Sequence, residues 1–272
     1  MIGLWLGATA LLMAGGGAWA EDTVIGRSVE GRAIEVYRFG TGEKAVVLYG
    51  GIHGGYEWNT VALTRQLIEY FSGAGGAGEA GGAIPEGISL YIIPVLNPDG
   101  LAEVTDGKEL DKFDPTAVDT TKGRFNARGV DLNRNWDARW EPVSEWRNME
   151  VDAGSHPFSE PETRALRDFV LPLKPEVIVS YHSQANGLYY SGKRDRWEPA
   201  RSLAQVYSEA SDYPIPQGRG LVSYRITGAS GGYFYHKGIP EITVELARRT
   251  DSEFSRNVEG VLALLQAVDG QE

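Results

Sequence analysis

The chain has 272 residues, no cysteine, four histidines and a net charge of −11 from 26 basic and 37 acidic side chains. A negative balance of that size opposes nucleic-acid backbones and anionic membrane surfaces, so neither is expected as a partner. The missing cysteines exclude disulfides and thiolate metal ligands.

In chain order, residues 1–20 carry no charged side chain, hold the apolar run Leu11-Leu12-Met13 and end in Ala18-Trp19-Ala20, a small-x-small cleavage pattern. They predict a signal peptide and a secreted or periplasmic protein whose mature form starts at Glu21. No later run is long and apolar enough to span a bilayer, so no membrane association is expected after cleavage. Residues 21–272 suffice to bury one large core and read as a single domain.

Within it, Ala45-Val46-Val47-Leu48-Tyr49, Ile88-Ser89-Leu90-Tyr91-Ile92-Ile93, Val177-Ile178-Val179-Ser180 and Ile242-Thr243-Val244 are short apolar runs suited to buried strands. Leu63, Leu67, Ile68 and Phe71 share one face of a helix, and Val258, Val261, Leu262, Leu265 and Val268 share one face of another. Ser159-Glu160-Pro161-Glu162 has capping-box spacing and predicts a third. The expected fold is α/β, a mixed, mostly parallel twisted sheet covered by helices on both faces. The glycine- and alanine-rich residues 73–82 read as a surface loop. Residues 97–152 have little periodicity, and so long an irregular segment inside a domain is usually functional.

Two histidines stand at strand ends. His53 follows the run ending at Tyr49, and His182 follows the run through Tyr181; ligands so placed converge in the crevice at the carboxyl ends of sheet strands. Glu57, four residues past His53, could reach the same ion. Two histidines and a glutamate leave a fourth position open for water, the donor set of a catalytic zinc. By spacing alone, satisfied polar residues at strand ends account for the same pattern. His156, in a Ser-His-Pro turn, and His236, before Lys237-Gly238, read as loop histidines.

Seven segments in order then resemble the zinc metallocarboxypeptidase family. Ile25-Gly26-Arg27-Ser28 with Gly31-Arg32 resembles its opening hairpin, Gly50-Gly51-Ile52-His53 with Glu57-Trp58-Asn59-Thr60 its metal motif, and Asn97-Pro98-Asp99-Gly100 a turn after the next strand. The most specific block is Gly123-Arg124-Phe125-Asn126-Ala127-Arg128-Gly129-Val130-Asp131-Leu132-Asn133-Arg134-Asn135-Trp136. Ser159-Glu160-Pro161-Glu162-Thr163, Ser180-Tyr181-His182-Ser183-Gln184 and Ala229-Ser230-Gly231-Gly232 with Val244-Glu245-Leu246 complete the match.

The resemblance implies one Zn2+ per chain on His53, Glu57 and His182, with Glu245 as general base and Arg124 stabilising the oxyanion. It also implies that Asn133 and Arg134 hold the terminal carboxylate of a peptide substrate, for which a guanidinium fork is suited. The chain departs from the family at two places. Gly54-Gly55-Tyr56 puts three residues between the histidine and the glutamate where two are usual, and Thr227 stands where a mobile tyrosine is expected, with Tyr224 nearby but out of register. The pocket for the released side chain is expected between Gly232 and Glu245, made apolar by Phe234. The implied activity is removal of C-terminal residues. A second reading has the same chemistry act on cell-wall peptides at a diaminopimelate-type residue, with Lys193, Arg194 and Arg196 meeting extra carboxylates. A third is a peptide-binding module without catalysis.

Overall fold

The computed structural model describes residues 21–73, 84–192, 197–216 and 224–271. The expected signal peptide, all of the 73–82 loop after Gly73, and the cations Lys193, Arg194 and Arg196 lie outside those residues. Elements follow in the order β1 (Glu21–Arg27), β2 (Ala33–Phe39), β3 (Lys44–Tyr49), α1 (Trp58–Ser72), β4 (Ile88–Ile93), α2 (Pro98–Thr105), β5 (Val143–Trp146), β6 (Met149–Asp152), α3 (Pro161–Leu173), β7 (Val177–Ser183), β8 (Gly187–Tyr190), α4 (Glu198–Ser211), α5 (Ser230–His236), β9 (Glu241–Leu246) and α6 (Phe254–Asp269).

All four expected strands form, and they are the centre of the sheet. Its order is β1-β2-β4-β3-β7-β9-β8. The inner pairs β4-β3, β3-β7 and β7-β9 are parallel; β1, β2 and β8 run antiparallel at the edges. Period-two alternation decides which core each side chain enters. Val46 and Leu48 of β3 enter one core with Leu63, Leu67 and Phe71 of α1, Tyr207 of α4 and Val258, Val261 and Leu265 of α6. Val47 and Tyr49 enter the other, with Leu166 and Val170 of α3, Phe234 of α5 and Trp136. Each fully buried aliphatic side chain contributes about 1.5–3 kcal/mol, so neither face of the sheet can stay bare.

Helix starts differ in chemistry from the expectation. Asn97-Pro98-Asp99-Gly100 opens α2 rather than closing a turn: Asn97 accepts from Gly100 N–H at 2.9 Å and Pro98 fills the first helical position. α3 does form, yet without a capping box. Ser159 is drawn off to Asn135 Nδ2 (2.9 Å), and Glu162 accepts from Val29 N–H (3.1 Å), so tertiary partners outbid the local cap.

The long irregular segment is held by side chains acting as backbone. Asn126 accepts from Arg128 N–H and Val130 N–H and donates to Glu160 at 2.7 Å. Asn135 is fully buried; it donates to Ala153 O (2.7 Å) and accepts from Thr163 Oγ1 (2.8 Å) and Glu160 N–H (3.2 Å). Asn135→Ala strands those buried groups, and is expected to cost about 3 kcal/mol. Urea unfolding should read this as a lower midpoint at unchanged slope; a loss under about 1 kcal/mol would mean water takes over the bonds.

Candidate metal centre and substrate cleft

His182 is the penultimate residue of β7, a strand buried along its whole length, and pairs in register with Glu245 of β9. Both side chains therefore leave the same face of the sheet at the carboxyl ends of parallel strands. His53 and Glu57 arrive from the neighbouring strand end, on a short 3₁₀ turn (Gly54–Glu57) between β3 and α1. Gly54 sits at φ +43°, and a Cβ there would stand 2.7 Å from the backbone of both Gly100 and Gly123, so only glycine fits.

This turn absorbs the extra residue between His53 and Glu57. Glu57 meets both imidazoles, with Oε1 3.0 Å from His53 Nδ1 and Oε2 3.2 Å from His182 Nδ1. Donor atoms around a tetrahedral zinc at 2.0–2.1 Å stand about 3.3 Å apart, so these spacings suit one ion. All three residues are buried, each offering a donor atom within 4.8 Å of the others. Both ring nitrogens of His53 and Glu57 Oε2 lack a well-formed hydrogen bond. Lone pairs gathered in this way without donors are what a cation resolves, and the donor set fits zinc. Burial works against the Glu57 charge, but His53 and His182 outweigh it and hold its pKa well below the carboxylate range.

Behind the histidine stands Asp131, fully buried, whose Oδ1 lies 3.4 Å from His53 Nε2. Its Oδ2 accepts from Arg124 Nε (3.0 Å) and Nη2 (2.8 Å), and Oδ1 also accepts from Asn133 N–H (3.0 Å). Burial would raise its pKa, but Arg124, Arg134 and His53 together hold it well below the usual value. Asp131 lies inside the quoted block, yet sequence reasoning gave it no role. The available signal was an acid flanked by two arginines in a segment without periodicity.

Arg124 keeps Nη1 clear of Asp131 and lies 4.3 Å from the Trp146 ring. Arg134 is also buried; Nη1 donates to Asn133 O (2.8 Å) and Nη2 to Glu145 O (3.0 Å), which leaves a second hydrogen on each nitrogen. Burial lowers its pKa and Asp131 raises it. Asn133 Oδ1 accepts from Ser230 N–H (3.2 Å), so its Nδ2 is the donor left for a ligand. The Glu245 carboxylate makes no hydrogen bond among the described residues; burial, helped by the Glu57 charge, pushes its pKa up to about 7 against His182, Arg124 and Arg249.

One cavity of about 730 Å³ joins all seven residues singled out from the sequence: His53, Glu57, Arg124, Asn133, Arg134, His182 and Glu245. Other details differ. Thr227 is buried and bonded to Ser144 (2.8 Å), whereas Tyr224 lines the cavity with its phenol beside the Arg134 guanidinium. Phe234 does not line the cavity at all; it packs on Trp136, ring centroids 5.2 Å apart, in the core behind α5. Tyr56, in the lengthened turn, borders the cavity and packs edge-on to Trp146 (5.1 Å), with Arg249 stacked 3.7 Å over its ring.

The model of the zinc carboxypeptidase family matches residues 20–260, and the chain belongs to that family. Carboxypeptidase B of Astacus astacus is 30% identical over 200 residues, 69% of this chain and 63% of that protein, so the chain spans under two thirds of this relative. Carboxypeptidase A of Helicoverpa armigera has a similar fold, with TM-score 0.68 at 20% identity over 92% of this chain and 68% of that one. A murein-tripeptide amidase of Escherichia coli O157 gives TM-score 0.63 at 21% identity over 94% and 95%.

Two substitutions test the centre by metal analysis. Glu57→Gln should lose zinc, since one of three protein donors is gone; full occupancy would remove the displaced glutamate from the site. Asp131→Asn should retain the ligands but weaken zinc binding about 10–100-fold in chelator competition, because His53 loses the charge that orients it.

Proposed function

We propose that this protein is a zinc-dependent carboxypeptidase that hydrolyses the last peptide bond of a chain bearing a free C-terminal carboxylate. The carrying observation is the cavity in which the His53-Glu57-His182 donors, the Glu245 carboxylate and the Asn133-Arg134 donors meet. One zinc per chain, held by His53, Glu57 and His182, would supply Lewis-acid chemistry for the scissile carbonyl and the attacking water. Glu245 takes the proton of the attacking water and delivers it to the departing amine, a role suited to a buried carboxylate that faces the three donors across the cavity. Arg124, braced on Asp131 through Nε and Nη2, donates to the carbonyl oxygen as it gains charge. Asn133 Nδ2 and the spare N–H groups of Arg134 hold the terminal carboxylate, and Tyr224 stands where a phenol can close over it. The apolar residues 1–20 support export before action.

Glu245→Gln should keep fold and zinc yet lose at least about a thousandfold in kcat, because an amide cannot accept the proton. Turnover near normal in that variant would take Glu245 out of the mechanism, and absence of turnover in the wild type would favour a binding module.

The carboxylate clamp predicts a second result. A terminal carboxylate on buried Arg134 forms a charge-assisted contact worth about 1.5–3 kcal/mol, and an amidated peptide leaves the guanidinium unpaired. The amide should be cleaved at least about 100-fold less efficiently, and Arg134→Ala should erase most of that difference. Equal cleavage of acid and amide, or cutting of internal bonds, would instead favour endopeptidase action on cell-wall peptides.

A further inference from the structure

Four arginines of the described residues line the cavity, and the proposed mechanism uses two of them, Arg124 and Arg134. The other two, Arg147 and Arg249, lie outside the motifs that carry the family resemblance. Neither forms an ion pair among the described residues, although the chain has a net charge of −11. Arg249 is nonetheless held in place. Its Cζ lies 3.7 Å over the Tyr56 ring, and its Nη2 donates to the Tyr56 hydroxyl. The loop that carries it, between β9 and α6, is pinned by Asn59 of α1, whose Nδ2 donates to Arg248 O (2.7 Å) and Asp251 O (3.0 Å). Glu253 accepts from Ala247 N–H (2.7 Å) on the same loop. Arg249 Nε is buried without a hydrogen-bond partner, so stacking on Tyr56 does not satisfy the group. A side chain kept only to cover the ring could be apolar and would strand no donor.

We propose that Arg249 determines substrate choice by reading a carboxylate on the acyl side of the scissile bond, on one of the two residues that precede the one released. The proposal rests on the carboxypeptidase reading and concerns the end of the cleft away from the released residue. The clamp marks the other end, because Asn133 is tied to Ser230 N–H of α5. Arg124 and the three metal donors mark the scissile carbonyl. Tyr56 comes next, adjacent in the chain to Glu57 and with its ring centroid 5.7 Å from Arg124 Cζ, and Arg249 stands over it. A peptide clamped at its carboxylate with its carbonyl at Arg124 therefore runs its preceding residues past Tyr56 towards Arg249.

The position of Arg249 relative to the reacting groups is fixed twice. Ser183 Oγ donates to Asn59 Oδ1 (3.0 Å), so the side chain that pins the Arg249 loop also holds the strand end bearing His182. Burial raises the Glu245 pKa, and Arg249 is among the charges that oppose it, which places the guanidinium within electrostatic reach of the base. Arg147, at the tip of the β5-β6 hairpin, lies 5.5 Å over Trp146, itself edge-on to Tyr56, and adds a second positive charge along this wall. A guanidinium stacked by its face keeps its N–H edge free for a planar acceptor. A carboxylate meets that edge with charge and two oxygens; glutamine offers one oxygen and no charge, and lysine is repelled.

Two kinds of substrate share this chemistry. Aspartate or glutamate in an ordinary peptide brings the carboxylate on its side chain, and a glutamate linked through its side chain brings a free α-carboxylate. The test uses the zinc-loaded protein and peptides with one common C-terminal residue and Glu, Gln or Lys at either of the two preceding positions. A peptide with a γ-linked glutamate before the released residue, and its α-amide, complete the set. The expected kcat/KM is at least about tenfold higher for the carboxylate than for its amide at one position, with Lys below both, and the ratio should fall to within about threefold in Arg249→Gln. Ratios within one variant cancel any general loss from altered packing on Tyr56 or an altered Glu245. Should Arg249→Gln fail to fold, Arg249→Met, which still covers the ring, carries the same expectation. Preference for side-chain carboxylates names ordinary peptides as the source, and preference confined to the γ-linked pair names isopeptides; both uphold the proposal. A smaller ratio in the wild type overturns it whether or not the variants fold, and so does a ratio that survives the loss of Arg249. A wild type that cleaves none of the peptides sinks the carboxypeptidase reading; calorimetric binding of the intact carboxylate and amide peptides then judges Arg249 alone, tighter for the carboxylate if the proposal holds and equal if it fails.

Discussion

The Asp131 carboxylate is the constraint on which the rest of the site depends. It is fully buried, and it touches a candidate metal ligand, a guanidinium and the backbone of the substrate clamp at once, through His53 Nε2, Arg124 and Asn133 N–H. Burying that charge is tolerable only because Arg124 forks onto it and Arg134 lies close, and the same contacts keep it ionised. One group thus sets the distances among three others that come from separate parts of the chain. A side chain there without charge would leave the guanidinium of Arg124 buried and unbalanced.

The two faces of the sheet divide the work. On one face β3, β4, β7 and β9 all present aliphatic or aromatic side chains, closed over by α1, α4 and α6. On the other, the apolar core under α3 and α5 gives way at β7 and β9 to Ser180, His182, Glu241, Thr243 and Glu245, all lining or bordering the cavity. Parallel strands make this possible: their carboxyl ends align, so His182 and Glu245 come level by register alone. The rigid sheet holds the reacting groups, and the irregular segment between α2 and β5 supplies Arg124, Asn133 and Arg134.

The extra residue before Glu57 shows how a loop change is absorbed without disturbing a centre. Gly54 takes a left-handed conformation against the backbone of Gly100 and Gly123, the turn tightens to 3₁₀, and Glu57 keeps its place at the start of α1. The one bulky side chain of the lengthened turn, Tyr56, is buried against Trp146 and under Arg249, so it becomes packing rather than an obstacle.

The sequence by itself determined the strands at the centre of the sheet and the helix faces, because these depend on local periodicity, whereas the seven residues of the candidate site were singled out through the resemblance of their motifs to a family. Glu241 was not singled out from the sequence, because nothing local says which face of a strand meets a cavity. Only the tertiary structure decided that Phe234 turns into the core while Tyr224 enters the cleft, and that Asp131 stands behind His53. It also decided that Ser159 and Glu162 leave the start of α3 for partners far along the chain. Those outcomes turn on side-chain direction and long-range hydrogen bonds, for which a buried polar atom takes whichever partner the fold brings within reach.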